Sequence, residues 1–282
     1  MKVLIIQENG HHEANKNFRE CFSLQRAFRH HSHQADVWGN LHDNYNITPD
    51  FNSYDIIINL ENYSLEWIPD LSDITSPYKI VWSIDAHCRG TQVYDDMFAS
   101  GKYNLLLHST RDFVKGKHSA WFPNAYDDDL ICRRNDVDKQ YFIGFCGNYV
   151  NRKHLLDRMV QKYDMKSDIF VIGDGMVNAI NSYRIHFNKN MSNDINYRSF
   201  ETLGAGTALI TNYNEQYSAL GFEEDKNCFM YKNDSELFDK LEHLQNNPEL
   251  VARVSDSGME FAKKHTYKVR VESLLTFLEN ML

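Results

Sequence analysis

Tyr141-Phe142-Ile143-Gly144-Phe145-Cys146-Gly147-Asn148 decides how this chain folds. The largely apolar run Tyr141 to Phe145 leads through a glycine turn into a segment from about Asn151 to Tyr163, where Leu155, Leu156, Met159 and Val160 share one helical face. A buried strand followed at once by a helix opens a βα unit. The same opening stands at the start of the chain. Lys2 to Ile6 is a continuous apolar run closed by Gln7-Glu8-Asn9-Gly10, and Phe18, Cys21, Phe22 and Phe28 recur at helical spacing between Ala14 and His31. A pattern that restarts midway predicts two similar α/β domains.

Outward from these two openings the rhythm continues. Ala35 to Trp38, Asp55 to Leu60, Lys79 to Ile84 and Asn104 to His108 read as strands of the first domain, and such alternation argues for a parallel sheet covered by helices. Trp121-Phe122-Pro123-Asn124-Ala125 ends this half, and the polar run Tyr126 to Gln140 reads as the linker, with Asp127-Asp128-Asp129 solvated within it. In the second half, Asp168 to Ile172, Ile185 to Phe187 and Ala208 to Thr211 read as strands and Tyr197 to Leu203 as a helix. After Asp234 the chain reads as helical to its end, with Leu237, Phe238, Leu241 and Leu244 on one stripe.

The 282 residues are about twice an ordinary domain, which suits this division. A formal charge of -9 opposes a protein whose main task is to coat nucleic acid, although one cationic groove can sit on an acidic body. Five scattered cysteines without a C-x-x-C pair read as reduced thiols. No apolar run is long enough to cross a bilayer, and the apolar stretch after Met1 is too short for a signal peptide. A cytoplasmic protein is the expectation.

In open α/β sheets, ligands bind beyond the carboxyl ends of the strands, which selects the loops that matter. In the second half, Gly147 and Asn148 form a turn followed by Arg152 and Lys153 at the entrance to a helix. Free backbone N–H groups, the positive helix end and a guanidinium fork there suit a diphosphate, and a solvated basic first turn is the plainer alternative. Neither G-x-G-x-x-G nor G-x-x-x-x-G-K-[ST] is present, so dinucleotide dehydrogenases and P-loop kinases lose support. Gly173 opens another such loop. Asp194, Arg198 and Glu201 stand at i, i+4 and i+7, which places them on one helix face. Glu201 can accept two ribose hydroxyls and Arg198 can meet phosphate, while a plain surface ion pair is the alternative.

In the first half, Gly10 and Glu13 lie in the first βα loop, and Asp85 and His87 follow a buried strand where they could meet sugar hydroxyls or an acceptor. His11-His12-Glu13 lacks a third specified metal ligand, and Asp127-Asp128-Asp129 lacks strand context, so no metal site is assigned.

Arg198-Ser199-Phe200-Glu201-Thr202-Leu203-Gly204-Ala205-Gly206-Thr207-Ala208-Leu209-Ile210-Thr211 resembles the R-x-F-E-x-x-A-x-G-x-x-x-x-T segment of the spore-maturation (CgeB-like) group of GT-B glycosyltransferases, within the glycosyl transferases group 1 family. Phe145 to Leu156 resembles that group's F-x-G-x-x-x-x-R-x-x-x-L. Trp121 to Ala125 is similar to its interdomain strand and turn, and His265-Thr266-Tyr267-Lys268-Val269-Arg270 to its terminal H-T-Y-x-x-R. The resemblance implies two Rossmann-like doubly wound domains facing across a cleft. It places an acceptor-side domain over residues 1–138, a nucleotide-sugar domain over 139–265, and a helix over 266–282 returning toward the first domain.

By the same resemblance Glu201 corresponds to the ribose-binding carboxylate, and Arg152 and Lys153 lie where related enzymes keep cations for the diphosphate. The departure is Asn193, where many retaining members carry the first Glu of an E-x-x-x-x-x-x-x-E pair. The implied activity is transfer of a sugar from a nucleotide-diphospho-sugar, a UDP-sugar first, to a hydroxyl, with retention and no obligatory metal or other cofactor. Were configuration inverted, Asp85, His87 or Glu13 would be the candidate bases.

The acceptor is left open among a bacterial surface glycan, a protein and a hydroxymethylated cytosine in phage DNA. DNA would need a basic face, which Arg19, Arg26, Arg29, His30, His31 and His33 on the first helix, with Arg89, Arg111, Lys115, Lys117 and His118, could supply. A degenerate nucleotide-sugar-binding module is the alternative outside catalysis.

Overall fold

The computed structural model describes residues 1–280, and its chain divides into two compact units. The first comprises Met1–Asn124 together with the chain from Tyr267 onward, and the second is Ala125–Thr266. Each is built on one parallel sheet, as continuous Ile, Leu and Val runs buried on both faces require.

The first sheet holds β1 (Lys2–Ile6), β2 (Gln34–Trp38), β3 (Ile56–Leu60), β4 (Tyr78–Ser83), β5 (Leu105–His108) and β6 (Ser119–Trp121), in the order β2-β1-β3-β4-β5-β6. Chain direction across the sheet reverses between β1 and β3. Crossovers include α1 (Glu20–His30), α2 (Ala86–Arg89) and α3 (Gln92–Ser100). The helix expected from Ala14 begins later: Glu13–Phe18 is a 3-10 turn and Arg19 is extended at φ -68°, ψ 149°. Asn15 and Asn17 explain the delay, since their side chains compete for backbone bonds and favour turns.

The C-terminal helix Tyr267–Glu279 packs against α1 within this unit. Its buried Arg270 donates from Nε to Pro123 O at 3.1 Å and from Nη2 to Asn124 O at 3.4 Å, while His31 Nε2 meets Lys268 O at 2.9 Å. Two motifs far apart in the chain, W-F-P-N-A and H-T-Y-x-x-R, therefore meet as side chain and backbone.

The second sheet holds β7 (Tyr141–Gly147), β8 (Met165–Ile169), β9 (Tyr183–Asn188), β10 (Ala208–Asn212) and β11 (Phe229–Tyr231), in the order β11-β10-β9-β7-β8. Its reversal falls between β7 and β9. The helices are α4 (Lys153–Lys162), α5 (Gly173–Ser182), α6 (Tyr197–Gly204), α7 (Glu215–Ala219), α8 (Asp234–Gln245) and α9 (Pro248–Ala262). Ile143, Phe145, Ile185, Phe187, Ala208 and Ile210 form the core with Leu155, Met159, Leu237 and Leu241. Gly144 has no alternative in β7, because a Cβ there would overlap the Tyr183 ring.

The strand expected over Asp168 to Ile172 is displaced. β8 ends at Ile169, Phe170 turns back at φ 57°, and α5 takes up the chain from Gly173 with Met176, Val177 and Ile180 buried. An edge strand buries little, so Met165-Lys166-Ser167 carries too weak an apolar signal to reveal it. The segment from Tyr126 onward is no plain linker either. Tyr126 bridges Thr266 in parallel, Ile131 is buried, and Asp127 is buried rather than solvated, accepting from the Asp129 N–H at 3.1 Å.

Candidate active site

The second sheet's switch point lies at the carboxyl ends of β7 and β9, where a doubly wound sheet opens a crevice for ligand. Gly147 and Asn148 leave β7 there, Asn151 is left-handed at φ 61°, and Arg152 caps α4. Arg152 spans the crevice. Its Nε and Nη2 donate to Lys189 O at 2.9 and 2.6 Å, and Nη1 donates to Asn148 O at 2.9 Å. Three of its five N–H groups are thus used, leaving two for a ligand. Burial lowers the guanidinium from its ordinary value, partly offset by the Asp194 carboxylate. Lys153 stands apart: it is exposed and pairs with Asp157 at 2.7 Å, one turn along α4.

Along α6, Arg198 Nη1 donates to Glu201 Oε2 at 2.6 Å and also contacts Met176 Sδ on α5. Behind this pair lies a neutral relay. Thr202 Oγ1 donates to Arg198 O at 2.5 Å, His186 Nδ1 meets Thr202 Oγ1 at 2.5 Å, and His186 Nε2 accepts from the Cys146 N–H at 3.1 Å. Burial, then the Arg198 charge, holds the His186 imidazole well below its ordinary range, so it serves as a neutral acceptor.

Asp194 is not on this helix face, in contrast to the expectation from spacing. The helix begins only at Tyr197, and the buried Asp194 carboxylate turns back to Ser192, accepting from its N–H at 3.2 Å and its Oγ at 3.3 Å. Gly173 is the first residue of α5, where Asp174 pairs with Arg134 at 2.7 Å.

A set of neutral residues at the ends of β9 and β10 escaped the sequence reading. Asn190 Nδ2 donates to Tyr217 Oη at 2.8 Å, and Tyr217 Oη also meets Ser199 Oγ at 2.7 Å and Thr211 Oγ1 at 3.0 Å. Asn188 Nδ2 reaches Asn196 Oδ1 and Ser199 Oγ, both at 3.1 Å, and Asn190 Oδ1 accepts from the Asn196 N–H at 3.2 Å. Asn214 Nδ2 donates to Asp194 O at 2.7 Å. The lattice fixes the entry to α6 without a charge. Its one signal was the run of asparagines following two predicted strands.

The first unit's switch point is ionic instead. Buried Glu61, beyond β3, accepts at Oε2 from the Ile84 and Asp85 N–H groups at 2.8 and 2.6 Å, and its Oε1 lies 3.2 Å from Arg89 Nε. Glu8, beyond β1, is buried with Oε1 3.1 Å from His11 Nε2. Glu61 and Glu8 were not singled out in the sequence, where a carboxylate in a loop has no distinguishing pattern. Asp85 is exposed at the start of α2, His87 is half-buried within it, and Gly10 packs against the Asn15–Lys16 backbone. Glu13 pairs with Lys16 at 2.7 Å.

The basic face expected on α1 loses Arg19 and keeps the exposed Arg29 and His30. Arg19 is buried, 3.5 Å from Glu20 and over the Tyr63 ring, and Arg26 and Arg29 each donate to a backbone oxygen. Among the described residues no cluster of three or more His, Cys, Asp or Glu could hold a metal ion, and no helix is long and apolar enough to cross a membrane.

Residues 151–276 match the family model described as Glycosyl transferase-like. No curated protein matches the chain by sequence. In structure it is similar to sucrose-phosphate synthase from Thermosynechococcus elongatus at a TM-score of 0.65 and 9% identity, and to Anabaena HepE in complex with UDP and glucose at 0.65 and 10%, with 100% of each chain covered in both. An alpha-glucosyltransferase in complex with UDP and a 13-mer DNA aligns at 0.69 and 10% identity, over 99% of this chain and 100% of that one. At such identities the likeness establishes the fold, which is GT-B with two Rossmann-like units. Residues 151–276 thus carry a glycosyl transferase-like segment on that fold.

Proposed function

We propose that this enzyme moves a sugar from a UDP-sugar to a hydroxyl with retention and without a resident metal, and that the hydroxyl belongs to a hydroxymethylated cytosine in DNA. The observation that carries the donor reading is the Arg198–Glu201 pair, held at 2.6 Å on α6 over the neutral His186–Thr202 relay. Glu201 has the two acceptor oxygens that a ribose diol needs, and its pairing to Arg198 fixes their direction. UDP is favoured because HepE and the alpha-glucosyltransferase were each solved with it.

The main chemical task is to stabilise negative charge growing on the departing diphosphate. Arg152, with two N–H groups to spare, and Arg198 are assigned to it. Gly147, Asn148 and Gly173 supply backbone N–H groups nearby, and Lys153 adds a longer-range charge. With retention, the departing phosphate oxygen takes the acceptor proton, so no protein base is needed. Asp85 and His87, at the carboxyl edge of the first sheet, are assigned to acceptor hydroxyls.

The DNA acceptor draws on the alpha-glucosyltransferase complex, which holds DNA together with UDP. The formal charge of -9 favours a second reading, in which the acceptor is a bacterial surface glycan or a protein. Calorimetry with UDP tests the donor site: Glu201→Ala in a folded variant should weaken binding at least tenfold, and an unchanged Kd would remove Glu201 from it. Labelled-sugar transfer to duplexes with and without hydroxymethylcytosine tests the acceptor. Transfer to neither duplex, with turnover on a glycan, would select the second reading.

A further inference from the structure

At the amino ends of the second sheet, opposite the β7/β9 switch point, lies a cavity of about 510 Å³ between the starts of β7 and β9, the Gly206–Thr207 turn and helices α8 and α9. We propose that this cavity is a second ligand site, which takes a small organic anion with an apolar body.

Charge is the first observation. Arg133, Arg134, Lys139 and Arg184 line the cavity against only two carboxylates, Asp138 and Asp256, on a chain whose formal charge is -9. Arg133 pairs with Asp256 at 2.6 Å, and Arg134 turns to Asp174 at 2.7 Å. Lys139 has no ion pair among the described residues. Its Nζ donates to Thr207 Oγ1, whose own proton goes to Ile180 O at 2.8 Å. A poorly hydrated ammonium without a counter-charge costs free energy that an arriving anion would offset.

Shape is the second. Phe142, Leu244, Pro248 and Ala252 form an apolar wall of the same cavity, which a bare inorganic ion would leave uncovered. Gly206, at φ 64°, keeps the cationic side in place, because a Cβ there would run into the Arg133 guanidinium. Neither feature serves the donor crevice, which lies at the other end of the strands.

Burial, then the neighbouring Arg133 charge, lowers the Lys139 amine to about 7. The other ionisable groups facing it from the lining are guanidiniums and carboxylates, types that do not change charge between about pH 6 and 9, and the nearby His186 imidazole on β9 is held well below its ordinary range by burial. Anion affinity should therefore fall as pH rises through 7 and Lys139 loses its proton.

The test is calorimetry on the full chain with phenyl phosphate, phenylacetate and inorganic phosphate. Phenyl phosphate should bind one to one, at least tenfold more weakly in Lys139→Met, not at all in Ala252→Trp, and equally in Arg152→Ala, which removes the phosphate-binding cation of the donor crevice and so separates this site from it. Phenylacetate binding shows that a carboxylate suffices, and its failure narrows the ligand to phosphate esters. Whichever organic anion binds should do so at least fivefold less tightly at pH 8.5 than at 6.5 in the wild type, and with little change in Lys139→Arg. Failure of both organic anions at millimolar concentration, equal binding by Lys139→Met, or inorganic phosphate binding as tightly as phenyl phosphate would each overturn the proposal.

Discussion

The carboxyl edges of the two sheets solve one packing problem in opposite ways. In the first unit the buried polar groups beyond the strands include ions, Glu8, Glu61 and Arg19, beside neutral Gln7, Asn9 and Asn62, and Glu61 is held by two backbone N–H groups and an arginine. In the second, the strand ends are joined by amides and hydroxyls: Asn188, Asn190, Asn196, Ser199, Thr211 and Tyr217. A neutral lattice stays satisfied whatever charge arrives beside it, whereas a buried carboxylate depends on every one of its donors. The difference sets a neutral lattice beside Arg152 and the Arg198–Glu201 pair in the second unit, and a buried carboxylate in the first.

This contrast can be broken from either side. Glu61→Ala leaves the Ile84 and Asp85 N–H groups and Arg89 without their acceptor, and should cost the first unit about 3 kcal/mol. Glu61→Gln, which keeps one accepting oxygen, should recover part of it. Trp38, Trp67, Trp82 and Trp121 all lie in the first unit, so denaturant unfolding followed by tryptophan fluorescence reads this loss directly. Asn190→Ala removes an internal bond of the neutral lattice, and should cost the second unit about 2 kcal/mol, seen as faster amide exchange in β9 and β10.

The third effect carries a sign. With its amine at about 7 in the folded chain against an ordinary 10.5, Lys139 binds fewer protons folded than unfolded between those values, so stability rises with pH across that window. Lys139→Met should therefore stabilise the second unit below pH 7, a gain that fades by pH 10. Thermal unfolding of both proteins across that range measures it, and a gain that grows with pH would contradict the buried, uncompensated ammonium.

The strands were the most legible part of the chain. Lys2–Ile6 and Ile56–Leu60 are continuous apolar runs, and only a sheet buried on both faces accommodates them. β8 and α5 were misread because an edge strand and a helix opening on Gly173 carry little apolar signal. Asp194 was misplaced because helical spacing was extended past the true start at Tyr197.

The site divides along the same line. Arg198 and Glu201, three residues apart on one helix, were readable as a pair because helix geometry alone brings them together. The grip of Arg152 on Lys189, 37 residues away, and the bond from Lys139 to Thr207, 68 residues away, were not. Local sequence by itself determined where strands and helices form, since periodicity and turn chemistry act over a few residues. Which loops meet, which carboxylates are buried and which lysine lacks a counter-charge were decided by tertiary structure, because strand order sets partners that no local spacing encodes.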